Sequence, residues 1–128
     1  MTNPNELESA QYRGLFVDET GTAVVMSVLT TLTLTLYNLA TSAIINSRNA
    51  QNVKNANNVT IYDTPQTASD GSKYNLLWAM VPADNPVVNQ ALQAEPHIAL
   101  FQGTWSAGAK RLNHAVAITV QRVLLVTP

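Results

Sequence analysis

Thr31 to Asn46 reads TLTLTLYNLATSAIIN. Leu32, Leu34 and Leu36 alternate with Thr31, Thr33 and Thr35, a period of two without a miss. Successive side chains of a strand point to opposite faces, so the leucines line one face and the threonines the other. A helix would spread the same leucines around three sides. Threonine is β-branched and suits a pleated surface, so propensity agrees with pattern. Asn38 to Ser42 is turn-rich and Ala43–Ile44–Ile45 resumes the apolar pattern, which predicts a hairpin.

Outward from this run, Leu15–Phe16–Val17, Asp18–Gly21 and Thr22–Met26 read as strand, turn, strand. Residues 1–12 read as an arm, with only Leu7 and Tyr12 to anchor it, and 13–128 as one domain. The arm has too little apolar surface to offset its ordering entropy, so it is expected to be mobile until a neighbour fixes it. Ser47 to Asn58, SRNAQNVKNANN, has five asparagines and one large apolar residue, Val53. It predicts a connection with at most one helical turn around Ala50 to Lys54, because asparagine favours turns over helix interiors. Val59–Tyr62 reads as a short strand ended by Asp63–Thr64–Pro65. Tyr74 to Val81 reads as another, with Leu76, Trp78 and Met80 inward, closed by Pro82. Asn85–Pro86 predicts an N-cap and a short helix over Val87 to Leu92, stopped by Glu95–Pro96.

His97 to Ser106 and Leu112 to Val126 form the expected last hairpin, around Ala107–Gly108–Ala109. Seven or eight short strands with almost no helix predict an all-β fold, an antiparallel sandwich or barrel. The expected core is Leu32, Leu34, Leu36, Ile44, Leu76, Trp78, Met80, Leu100, Val116, Ile118 and Val120.

Charge excludes some functions. The formal charge is −1 with 12% charged residues, about half the usual share. The seven basic residues (Arg13, Arg48, Lys54, Lys73, Lys110, Arg111, Arg122) are scattered, which leaves no footprint for nucleic acid. A surface this neutral suits either a low-charge extracellular protein or a subunit much of whose surface meets other subunits. Cysteine is absent, so disulfides and thiolate metal sites are unavailable. Thr20 to Ser47 carries no charge but alternates, so no membrane span is expected. The amino terminus is acidic and polar, unlike a secretory signal.

Chemistry is sparse. If Ser106 faced Leu112, paired positions would sum to 218, setting His97 opposite Gln121 and His114 opposite Thr104. The two histidines would then lie roughly 23 Å apart, too far for shared coordination, and neither has an evident carboxylate partner. Asp63 and Asp70 flank a loop without calcium-loop spacing. No nucleophile elbow, phosphate loop or HExxH occurs, and Asn58–Val59–Thr60 is a chance sequon in this context. Tyr62, Tyr74 and Trp105 could line a sugar-binding groove if they shared one, but aromatic rings on alternating strands more often serve core or subunit contact. The sequence therefore predicts no enzyme, no catalytic or metal-ligating residue and no cofactor.

The stretches LTLTLYNLATSAIINSRNAQNV, MVPADNPVV and HIALFQGTWSAGAKRLNHAVAITVQRVLLV, in that order, resemble small virion proteins of tailed bacteriophages. The proteins they resemble have an immunoglobulin-like β-sandwich and belong to the head or head–tail region. The likeness spans roughly residues 15 to 126. It implies a structural role in the virion, as a capsid decoration or cement subunit or as a neck subunit. The implied partners are major capsid or neck proteins and copies of the chain itself, with neither nucleic acid nor membrane. A carbohydrate-binding or adhesin module is the rival reading from another class.

Overall fold

The computed structural model describes residues 4–5, 8–87, 93–106 and 108–121. Seven strands make two antiparallel sheets: β1 (Ala10–Gly14), β2 (Thr31–Asn38), β3 (Gln51–Asn52), β4 (Val59–Thr67), β5 (Lys73–Met80), β6 (Ala94–Trp105) and β7 (Lys110–Gln121). One sheet runs β1-β5-β4 and the other β3-β2-β6-β7, and their inner faces close a single core. The all-β antiparallel sandwich expected from the sequence is therefore the fold.

Alternation carries through as the leucine run predicts. Leu32, Leu34 and Leu36 are wholly buried, while Thr31 is exposed and Thr33 and Thr35 half-buried. Leu76, Trp78 and Met80 face them from β5. Trp78 meets Phe101 edge to face at 5.8 Å, so the two sheets lock through rings at the core centre. Asn75 is buried beside them and fastens the chain before β2. Its Oδ1 accepts from Phe16 N, and its Nδ2 donates to the carbonyls of Phe16 and Val24.

Several local expectations need correction. Residues 10–12 belong to β1, where Ala10 pairs with Met80 and Tyr12 with Trp78, so the domain begins inside the expected arm. Pro4 is buried, and its carbonyl accepts from Gln121 N. The described part of the arm thus packs on its own domain, because the β1–β5 ladder and the Asn5–Gln121 bridge supply hydrogen bonds that compensate its poor apolar content. The Leu15–Met26 unit is a bare turn with one bridge, Val17 to Ala23, rather than two full strands.

The hairpin after β2 returns only through a Tyr37–Ile44 bridge, and Ile45, not Ile44, enters the core (3% against 41% exposed). The Asn-rich connection holds no helical turn around Ala50 to Lys54. Asn46, Ser47, Ala50, Asn55, Asn57 and Asn58 have positive φ, a conformation asparagine tolerates better than most, and Gln51–Asn52 pairs with β2 as β3.

Strand β4 outruns its expected end, continuing past Pro65 through an irregularity between Ile61 and Gln66. Proline is tolerated there because β4 is an edge. Pro82–Asp84 forms a 3-10 turn that Asn85 terminates instead of starting a helix. Val87 is not helical, and Val88 to Leu92 lie outside the described residues. On β6 the inward set is Ala99 and Phe101, leaving Leu100 on the other face. Both alternating sets of that strand are apolar, so its pattern alone left the choice open.

Candidate functional site

Among the described residues, three pairs of titratable side chains meet in or near the interior. The first joins the Asn-rich loop to the turn after β5. Asp84 accepts from Arg48 Nε at 2.5 Å and Nη2 at 3.0 Å, from Asn46 Nδ2 at 2.8 Å and from Val81 N at 3.0 Å. Arg48 also donates to Gln51 Oε1, the Asn57 carbonyl and Asn58 Oδ1, and its guanidinium lies 5.7 Å from the centre of the Trp78 ring. Both charged side chains are buried, and neither has an open coordination side. The arrangement pins two loops together.

The second is Glu95 and His97, two residues apart on β6 and therefore on one face. His97 Nε2 lies 2.6 Å from Glu95 Oε1, with both side chains inaccessible. A carboxylate beside a histidine can orient an imidazole for base catalysis. That chemistry needs a nucleophile on the far nitrogen, and His97 Nδ1 has no hydrogen-bond partner among the described residues. The sequence reading overlooked Glu95 as a partner because it treated Glu95–Pro96 only as a helix stop. The Glu-Xaa-His spacing on a strand was the available signal.

The third couples β1 to β7: Tyr12 Oη and His114 Nε2 are 2.6 Å apart, and the Phe16 ring lies 4.7 Å from the imidazole. Burial holds the His114 imidazole below its usual value of 6.5 and raises the Tyr12 phenol. A base whose folded pKa is depressed resists protonation in the folded state. Its contribution is whole above the unfolded pKa near 6.5 and fades as the pH falls toward the depressed folded value. Urea unfolding should therefore lose midpoint more steeply below about pH 6.5 in the wild type than in His114→Gln. Equal slopes would show that His114 is as easily protonated folded as unfolded.

The hairpin register differs from the expected one. His97 pairs with Ile118 and His114 with Phe101, a sum of 215, because Trp105–Lys110 already closes the ladder around a tight turn. Left-handed Ser106 and Gly108 make that turn possible. Four residues, about 13 Å along the sheet, separate the two histidines, and each has its own partner. Among the described residues no group of three or more His, Cys, Asp or Glu could hold a metal ion. Asp63 accepts from Ser27 N, 36 residues away, and Asp70 caps its own turn by accepting from Ser72. The Ser72 hydrogen bonds hold the Asp70 carboxyl below its usual range.

Among the described residues, a cleft of about 890 Å³ lies between β1 and the β4–β5 turn, with Glu8, Arg13 and Asp70 on its walls. The aromatic trio does not share a groove. Tyr62 and Tyr74 pack edge to face at 5.7 Å on the three-stranded sheet, while Trp105 lies on the other sheet against the core.

The outer face of the four-stranded sheet is the broadest uniform feature. Thr31, Thr33, Thr35 and Tyr37 of β2 stand beside Ile98, Leu100, Gln102 and Thr104 of β6. Asn113, Ala115 and Ala117 of β7 extend it. Arg111 is the one charged side chain that the described strands place on this face. Among the described residues no helix is long and apolar enough to cross a membrane. Comparison of the chain with protein-family models, with curated proteins and with solved structures returned no match.

Proposed function

We propose that the chain is a non-enzymatic structural protein of a tailed-phage virion, a decoration or cement subunit seated on the capsid. The observation that supports this reading is the nearly uncharged outer face of the four-stranded sheet, built from threonine, alanine, asparagine and half-buried Leu100 and Ile98. Such a surface meets a protein neighbour at little desolvation cost, because few charges must leave water. The polar interior groups bind one another, which favours a rigid block over a working site.

Leu100→Asp should test the surface. Its side chain lies on the outer face, so the free chain should keep its stability to within about 1 kcal/mol. Attachment to particles should be lost, since a desolvated carboxylate would have no partner. Antibody against the isolated chain should label intact virions over the whole capsid. Label confined to the tail vertex would assign the chain to the neck instead, and unlabelled virions would overturn the virion reading.

A further inference from the structure

We propose that the free edge of β7 joins two copies of this chain into an antiparallel dimer, turning the four-stranded sheet into a continuous eight-stranded one. The reasoning begins with the direction of backbone groups. Gln121 N donates away from β6, to the Pro4 carbonyl, so Ala94–Gln121 is a non-hydrogen-bonded pair of the β6–β7 ladder. Alternation then aims the N–H and C=O of Arg111, Asn113, Ala115 and Ala117 outward as well. These four residues have no backbone partner on that side among the described residues.

The four sheet edges differ in how they are protected. Strand β3 is two residues long, β1 is five, and β4 is broken by the irregularity that contains Asp63 and Pro65. Strand β7 has twelve residues in unbroken register, and no proline or charged residue occurs from Leu112 to Gln121. Short strands, edge charges, prolines and bulges are the devices that keep sheet edges from pairing. The edge from Leu112 onward has none of them. Among the described residues, Pro4 and Asn5 cover it at Gln121, beyond the stretch from Arg111 to Ala117.

The occupant that fits is a second copy. Antiparallel pairing about a two-fold axis at His114 sets Arg111 opposite the partner's Ala117, and Asn113 opposite the partner's Ala115. That register uses these four residues of each chain, giving eight hydrogen bonds by the alternation rule. It also places each arginine opposite a methyl group, with the two arginines roughly 20 Å apart. Small exposed side chains at Asn113, Ala115 and Ala117 let the two edges approach without a clash.

Sedimentation equilibrium of the full-length chain tests this without any virion, so its outcome is independent of the function proposed above. The wild type should show a concentration-dependent dimer. Ala115→Pro removes an outward N–H that β6 does not use, so the monomer should keep its circular dichroism while dimerisation is lost. Ala117→Lys faces the partner's Arg111 and should weaken the dimer about tenfold, whereas Ala117→Asp should not weaken it. These charge variants leave the intramolecular ladder intact and so decide the matter even if the proline variant misfolds. A wild type that stays monomeric at every concentration, or equal dimer affinities for Ala117→Lys and Ala117→Asp, would overturn the proposal.

Discussion

Replacing Asp84 with alanine should lower the unfolding free energy by about 3–5 kcal/mol, the usual cost of leaving a buried charge without its partner. Asp84 is fully buried and accepts four hydrogen bonds, two of them from Arg48, itself only 2% exposed. Without the carboxylate, the guanidinium keeps Gln51, Asn57 and Asn58 but has no counter-charge. The loop around Asn46 and the turn at Val81 lose their common fastening in the same step. Urea denaturation followed by tryptophan fluorescence would measure the loss. Adding Arg48→Met to the variant should restore part of it, because an apolar side chain leaves no charge to neutralise. A loss under about 1 kcal/mol would mean that water reaches Arg48 once the carboxylate is gone.

Trp78→Ala should be comparably damaging, at about 3–5 kcal/mol. Trp78 has no exposed surface, packs edge to face on Phe101 at 5.8 Å and lies under the Arg48 guanidinium. Truncation would open a cavity where the two sheets meet and remove the ring beneath a buried cation. Trp78→Phe should cost less than half as much. It keeps most of the aromatic volume, and it deletes an indole N–H that has no hydrogen-bond partner among the described residues. Thermal unfolding of both variants, with near-ultraviolet circular dichroism as a check on packing, separates ring volume from polarity. Equal losses would indicate that indole shape, not burial area, sets the core.

The leucine–threonine alternation of β2 was legible because it has one apolar and one polar set, and the Leu76–Trp78–Met80 face of β5 because it is bulkier than the mixed set of Lys73, Asn75, Leu77 and Ala79. The alternative register would expose three leucines. Strand β6 lacked that contrast: Ile98 and Leu100 compete with Ala99 and Phe101. Packing against Tyr12, Phe16 and Trp78 selects Phe101 for the core. The choice between Ile44 and Ile45 was likewise open, since neither residue sits in a long alternating run.

Contacts between distant positions had no local signature. Arg48 and Asp84 lie 36 residues apart and Tyr12 and His114 lie 102 apart, so spacing could not announce either pair. Glu95 and His97 were within reach of sequence reasoning, because two residues along a strand always share a face. The Asn-rich loop was recognisable as irregular from composition. Its use of left-handed backbone to lay Gln51–Asn52 against β2 depended on what that loop had to reach.

By itself the sequence determined the fold class, the inward faces of β2 and β5 and the scarcity of charge, all of which follow from side-chain periodicity and composition. The tertiary structure decided the β6–β7 register, the attachment of the amino-terminal segment and the pairing of Arg48 with Asp84. Those outcomes depend on which backbone groups face each other across the sheets. A hydrogen bond or ion pair between distant residues gains its strength only after the core has excluded water around it.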